Sequence, residues 1–232
     1  MKQRIAKFIA CTGAASRRDA ENLIATGRVT VDGVVVSSPV FFVDDTNVVA
    51  VDGKQIKCNS QTELYVFHKP LNTMTTSRDP RGRRTIYDCL PEKYHSLRYV
   101  GRLDYKTTGL LLMTNDGELA RRLTLPTSRV PRTYIATVGN VDLSGLAAAR
   151  RGMTVDGITY RPMQIDELPG GDLRVTVTEG KKNEIRIVLR ACHAPVRRLH
   201  RISFGNITLE NLPVGKIRPV PQKTIDALLK SF

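Results

Sequence analysis

Arg102 and Asp104 stand two positions apart in "GRLDYKTTGLLLMTNDG", residues 101–117 of a 232-residue chain whose formal charge is +14. In extended backbone these two side chains project to one side and Leu103 to the other, because side chains alternate along a strand. Leu103 then belongs to a core. Asp104 falls where "YKTTG" turns the chain, so its carboxylate can stand in a cleft and act as a nucleophile or base. An aspartate at a turn can equally serve only to accept hydrogen bonds from turn amides. The local pattern leaves both readings open.

A second stretch with chemical content is "EGKKNEIRIVLRAC", residues 179–192. On a helix through its last twelve residues, Ile185, Val188, Leu189 and Cys192 form one apolar stripe. Lys182, Arg186 and Arg190 stand one turn apart on another. A third is the arginine-rich run around Pro80 and Gly82, where Arg78, Arg81, Arg83 and Arg84 crowd a loop able to clamp phosphates. Solvated charge would give both basic patterns as well.

The composition narrows the partner. Lys and Arg number 36 against 22 Asp and Glu, so the surface carries a positive field that attracts polyanions, nucleic acid first. No apolar run approaches the roughly 20 residues that a membrane-spanning helix needs. Cys11, Cys58, Cys89 and Cys192 are far apart and the four histidines scattered, so neither a metal site nor a disulfide framework is expected. A reducing cytosol fits that pattern. The opening residues are basic, with no acid before Asp19, as in some targeting segments. Ile5, Phe8 and Ile9, however, recur at helical spacing and favour a folded helix.

The elements that must position these residues fall into two sets. In "SRRDAENLIATGRVTVDGVVV", Ser16 can cap a helix with Asp19 at its third position. Ala20, Leu23 and Ile24 supply the inner face, and Gly27 ends the helix in the left-handed conformation. Asp32-Gly33 and Asp52-Gly53 then suit tight hairpins. Arg17 and Arg18 lie in the first turn, where the helix dipole disfavours cations and an anionic partner would offset the cost. A small helix–helix–sheet domain over residues 1–58 is expected, with a linker at 59–63. Residues 64–232 carry most of the excess charge, +12 against +2 for the first 58. There, strands are expected in "LYVFHKP", "RYVGRLD", "GLLLMT", "RTYIATV", "ITYRPMQIDEL", "LRVTVTEG" and "VRRLHRISFGNITL". Helices are expected in "ELARRLT", "LSGLAAARRG", "KKNEIRIVLRAC" and "TIDALLKSF". Hairpin signals such as Asp156-Gly157 favour antiparallel pairing, hence an α+β class.

Taken in order, "RIAKFIA", "SRRDAENLIATGRVTVDG" and a later short strand resemble the small RNA-binding domain named after ribosomal protein S4. "GRLDYKTTGLLLMTNDGELARRL" resembles the signature of the bacterial ribosomal RNA pseudouridine synthases of the RsuA/RluB family. That likeness extends through "HKPLNTMTTSRDPRGRRTIYDCLP", "PRTYIATV" and "EGKKNEIRIVLRACHAPVRRLHRISFGNITLENLPVGKIRPV". It implies an S4-like domain followed by a mainly antiparallel central sheet flanked by helices. It also implies a cytoplasmic isomerase, expected to be a monomer, acting on ribosomal RNA or a ribosomal subunit assembly intermediate. Neither a metal nor a cofactor is expected.

By the resemblance, Asp104 is the catalytic residue, Arg186 the arginine paired with it, and Tyr134 the active-site tyrosine, whose ring can support the uracil face. The target base must leave its stack, and Arg102 is the candidate to occupy the vacated space. Arg17, Arg18, Arg81, Arg83, Arg84, Lys182 and Arg190 are candidate RNA contacts. Ile187 and Asn183 depart from the family pattern, in which basic residues are common there. "ACTGAASRRDAENLIATGRVTVDG" favours the large-subunit RNA enzymes of the family. A small-subunit RNA enzyme and a non-catalytic assembly factor are the alternatives.

Overall fold

Local signals decide the first part of the chain. In the computed structural model, which describes residues 2–57, 61–139 and 144–230, helices α1 (Ile5–Cys11) and α2 (Arg17–Ala25) precede a small sheet. The Ser16 hydroxyl accepts the Asp19 amide, a cap worth about 1 kcal/mol, and Gly27 closes the helix at φ +70°. Asp32-Gly33 and Asp52-Gly53 have positive φ at both positions, and each joins a hairpin of a four-stranded antiparallel sheet. Ile5, Phe8 and Ile9 of α1 pack with Ala20, Ile24 and the buried valines of that sheet into one core.

The chain divides into two compact units. The first comprises residues to Thr62 with short segments 96–98 and 115–117, and the second comprises the rest. Residues 58–60, within the stretch read as domain end and linker, lie outside the described residues. One cysteine expectation is corrected: Cys11 is disulfide-bonded, while Cys89 and Cys192 are free thiols. Spacing along the sequence does not report which thiols the fold brings together.

Nine strands form the main sheet, all in the second unit except for Arg98 of β2: β1 (Leu64–Lys69), β2 (Arg98–Val100), β3 (Thr107–Thr114), β4 (Arg132–Val138), β5 (Gln164–Glu167), β6 (Leu173–Val177), β7 (Val196–Phe204), β8 (Ile207–Thr208) and β9 (Ile217–Pro219). Their order is β5-β6-β4-β7-β3-β1-β9, with β8 beside β7 and β2 beside β3. Neighbours along this path are antiparallel, except that β7 and β3 run parallel. The strand read in "ITYRPMQIDEL" is broken: Ile158–Tyr160 forms the Asp156-Gly157 hairpin, and β5 starts only at Gln164. Pro162 lacks the amide that a continuous ladder needs.

Four helices complete the unit: α3 (Gly117–Thr124), α4 (Leu146–Arg151), α5 (Glu184–Ala191) and α6 (Gln222–Leu229). Leu119 and Leu123 of α3 and Ile225 and Leu228 of α6 pack with Leu64, Val66, Leu110 and Leu112 into the main core. β3 is buried along nearly its whole length, as a strand covered on both faces must be.

The parallel seam has a steric requirement. Gly109 pairs with Arg201 at φ +103°, and a Cβ placed there would lie 2.3 Å from the Arg201 carbonyl oxygen. Only glycine allows β3 and β7 to approach this closely.

Candidate active site

The seam opens into a cleft of about 310 Å³, lined among others by Arg102, Asp104, Tyr134, Lys182, Glu184 and Arg201. Asp104 reaches it from a turn. β2 stops at Val100, and Gly101 takes φ +67°, so "GRLD" is not the strand that its sequence predicts. Side chains alternate there nonetheless: Arg102 is exposed, Leu103 buried and Asp104 half-buried. Thr75 enforces this, its hydroxyl donating to the Leu103 carbonyl at 2.8 Å and accepting the Leu103 amide at 3.3 Å. The Thr107 amide donates to the Asp104 carbonyl at 3.0 Å, closing the turn as β3 begins. Among the described residues, no hydrogen bond or ion pair engages the Asp104 carboxylate, which leaves it available to a substrate.

Tyr134 stands on β4 opposite Arg201 of β7. The ladder between these strands skips a residue just before this pair, a bulge of the kind that re-aims side chains beside functional clefts. Arg201, 2% exposed, donates through Nε to the Leu110 carbonyl at 2.6 Å and through Nη1 to the Tyr134 hydroxyl at 3.4 Å. Arg132, also buried, donates to the carbonyls of Glu179 and Leu123. Lys69, fully buried at the end of β1, donates to the carbonyls of Thr107 at 2.8 Å and Pro70 at 3.0 Å. Burial pushes its ammonium down to about 8, against the opposing pull of Cys89 and Asp104.

Arg186 departs from expectation. Its guanidinium donates to the carbonyls of Val196 and Lys106, both at 2.9 Å, and makes no ion pair with Asp104. The two carbonyls take one donor from each terminal nitrogen. Arg186 therefore ties the end of the Asp104 turn to the start of β7, and acts on the carboxylate through space: burial lowers its pKa and Asp104 opposes that shift. Helix α5 also starts later than predicted, at Glu184, because Asn183 adopts φ +53°, a left-handed conformation that asparagine tolerates. Lys182 thus precedes the helix and lines the cleft, while Arg190, on the exposed side of α5, does not.

The loop entering α5 is held by two carboxyl groups. Glu179 accepts the Arg161 amide at 2.8 Å and the Lys181 ammonium at 2.6 Å, and Glu184 accepts the Lys181 amide at 3.1 Å. Burial and the adjacent Glu179 carboxylate push Glu184 up to about 7. Burial also acts to raise Glu179, but the Arg161 amide and Lys181 hold it below its ordinary value. In the arginine-rich loop, Arg78, Arg81, Arg83 and Arg84 are all exposed. Asp79 gathers its backbone by accepting the Arg81 and Arg83 amides and pairing with the Arg83 guanidinium at 2.8 Å. Those bonds, the Arg83 side chain first, hold Asp79 down to about 2. Arg17 and Arg18 are exposed in the first turn of α2.

Residues 63–191 match the family described as RNA pseudouridylate synthase, and residues 3–49 match the S4 domain. An uncharacterized RNA pseudouridine synthase of Rickettsia conorii is 37% identical over 228 residues, covering 96% of this chain and 98% of the relative. The chain belongs to the RNA pseudouridine synthase family. A relative of the same description in Aquifex aeolicus is 39% identical to the synthase over 239 residues, covering 100% of this chain and 95% of that one. A solved structure described as a pseudouridylate synthase superposes on it with a TM-score of 0.70 at 26% identity, covering 97% of this chain and 99% of that chain.

Arg201, Arg132, Lys69 and Glu184 of the synthase escaped the sequence reading. The signal for Arg201 was its phase: it sits two positions after Leu199, on the buried side of a strand, where an arginine is out of place unless it has work to do.

Proposed function

We propose that this synthase converts a specific uridine of ribosomal RNA, on the large subunit, into pseudouridine, with Asp104 as the residue that attacks or deprotonates the sugar or base. The observation that carries the role of Asp104 is its uncommitted carboxylate in the cleft. The other carboxyl group lining that cleft, Glu184, is tied to the loop through one oxygen by the Lys181 amide, and burial beside Glu179 pushes it up to about 7, which disfavours the ionised form the chemistry needs. Uridine isomerisation detaches the base from ribose, turns it and rejoins it through a carbon, so the chemistry needs a nucleophile or base and a site that traps the free base. Tyr134 supplies a flat support for it. Arg102, exposed on the cleft rim, fills the stack that the base leaves. Arg186 positions the Asp104 turn.

In this reading, residues 1–58 bind RNA through Arg17 and Arg18 and residues 64–232 carry the chemistry. Arg81, Arg83, Arg84 and Lys182 contact phosphates beside the cleft, and Arg190 contacts them from the exposed side of α5. The substrate is ribosomal RNA, free or in an assembling subunit. The choice of the large subunit rests on the likeness of the N-terminal sequence to the large-subunit enzymes.

Mapping pseudouridines in both ribosomal RNAs, with and without the protein, tests the substrate: one position lost from the large-subunit RNA is expected, and a small-subunit position would reassign it. Asp104→Asn tests the acid. It removes the carboxylate with little steric change and should lower the isomerisation rate by about 10⁴-fold, the upper range for a group that acts directly on a proton or bond. RNA affinity and thermal unfolding should hold. Normal yield from the folded variant would remove Asp104 from the chemistry.

A further inference from the structure

We propose that Arg201 is a second catalytic residue of the synthase, holding the negative charge that develops on uracil when its bond to ribose breaks. The inference rests on the isomerase activity and not on which residue attacks the sugar, so it stands or falls separately from Asp104.

Three features of Arg201 lead to it. The residue lines the cleft although it is 2% exposed. Among the described residues, one terminal nitrogen, Nη2, is buried with no hydrogen-bond partner, and Nη1 has only a long 3.4 Å contact to the Tyr134 hydroxyl. No ion pair neutralises the guanidinium among the described residues. The buried cations Lys69 and Arg132 lie close enough to repel it. A guanidinium does not lose its proton in a protein, so the charge remains, and burying a charge without a partner is costly. Stapling β7 to β3 through the Leu110 carbonyl uses one of five donors, and the rings of Phe204 and Tyr134, 5.4 Å and 5.9 Å from the guanidinium, offset only part of that cost.

The reaction supplies a partner of the right sign. When C1′–N1 breaks, the bonding electron pair stays on the base, which becomes an anion spread over N1 and the adjacent carbonyl oxygens. The ribose is captured by a carboxylate or loses a proton to it. After the base turns, C5 bonds to C1′ as the sugar–carboxylate bond breaks and its electron pair returns to the carboxylate, or as the carboxyl group gives the ribose its proton back; the C5 proton is then lost and N1 gains one, so neither atoms nor electrons are imported. The anion exists only between the two bonds. A fixed cation in a site sheltered from water stabilises it far more than it stabilises neutral uridine, and only such a difference accelerates a step.

Phosphates are a poorer match. They meet the exposed cations at the rim, Arg102 and Lys182, whereas a side chain as deep as Arg201 meets what enters furthest, the base. The Arg201 guanidinium lies 5.9 Å from the centre of the Tyr134 ring, so the surface that supports the base and the charge that receives its electrons are adjacent.

The test compares full-length protein with Arg201→Gln and Arg201→Lys under single-turnover conditions, on two RNAs carrying uridine or 5-fluorouridine at the target position. Breakage of C1′–N1 is read by mass spectrometry of the digested nucleosides. Fluorine withdraws electrons and makes the base a better leaving group, so it needs less help. Arg201→Gln is expected to slow cleavage of uridine by about 100-fold, the size seen when one preorganised donor to a developing anion is removed. The loss on 5-fluorouridine should be at least tenfold smaller, and RNA affinity should stay within about threefold because binding of the neutral base is little affected. Arg201→Lys, which keeps the charge and spares the fold if glutamine does not, should show a smaller loss in the same order. Equal losses on the two RNAs, in whichever variant is folded, would overturn the proposal and reduce Arg201 to a strand staple.

Discussion

Arg17 and Arg18 stand in solvent at the start of a helix, whereas Arg201 and Arg132 are buried in the lining of one cleft and Lys69 is buried against the carbonyl of Thr107, another lining residue. Both sets are cationic, but water makes them different instruments. An exposed arginine attracts phosphate at long range and is screened by salt. A buried one is screened far less and acts at a fixed place, which suits the role proposed for Arg201, on charge that appears only during the reaction. The N-terminal unit is thus suited to gathering RNA, and the second unit to acting on it.

The most damaging way to break this contrast is at the seam that fixes the buried cations. Gly109→Ala would place a methyl 2.3 Å from one backbone atom of Arg201 and 2.7 Å from another, in a conformation that alanine resists. A loss above about 4 kcal/mol is expected, in the range reserved for core overpacking and backbone strain. Denaturant unfolding measures it, and an unchanged midpoint would mean that the seam can part.

Arg186→Met comes next. It forfeits two charge-assisted bonds to carbonyls, at about 2 kcal/mol of stability. Because Lys106 follows the Asp104 turn so closely, isomerisation should fall by about 100-fold, as misplacement of roughly 1 Å can cost. Activity normalised to the folded fraction separates the two effects.

Glu184→Gln sharpens the comparison on the acid side. Unfolded, this carboxyl ionises near 4.5; folded, it keeps its proton up to about 7. The folded protein therefore binds the extra proton between those values. Stability from this group is complete below pH 4.5 and declines as pH rises to about 7, by at most about 1.4 kcal/mol per pH unit. The glutamine variant should lose less stability than the original between pH 5 and pH 8 in thermal unfolding. Parallel curves would show that Glu184 is already ionised.

The smallest effect on chemistry belongs to the exposed pair. Replacing Arg17 and Arg18 together by serine should leave the single-turnover rate on saturating RNA unchanged. It should weaken RNA affinity and reduce the slope of log K against log salt by about 1.5, two phosphates' worth of released counterions. An unaltered slope would dismiss this helix from RNA binding, whereas a change in that slope for Arg201→Gln would erase the distinction between the two regions.

What was legible in the sequence divides along the same line. The Ser16 cap, the Gly27 stop and the Asp-Gly hairpins are decided by a few adjacent residues, so spacing alone places them. Asp104 and Tyr134 could be assigned to one site because they sit in a family signature. Arg201 and Lys69 could not, since what makes them unusual is burial, and burial is set by strands distant in sequence. The hydrogen bonds of Arg186 to Val196 and Lys106 were hidden for a related reason: residue types announce which charges attract, but not which backbone carbonyls will reach the arginine first.

The parallel pairing of β3 with β7 also bears on how the protein comes into being. Thr108 and His200, partners across that seam, are 92 positions apart. Contacts of such separation require a long loop to close before they return any stabilisation, and they form slowly. During synthesis the N-terminal helices and hairpins, whose contacts are local, have emerged long before β7 leaves the ribosome. The nascent chain accordingly completes its S4 unit first and the seam late, and a chain stalled before residue 196 lacks the strand that brings Leu199, Arg201 and Phe204 to the cleft.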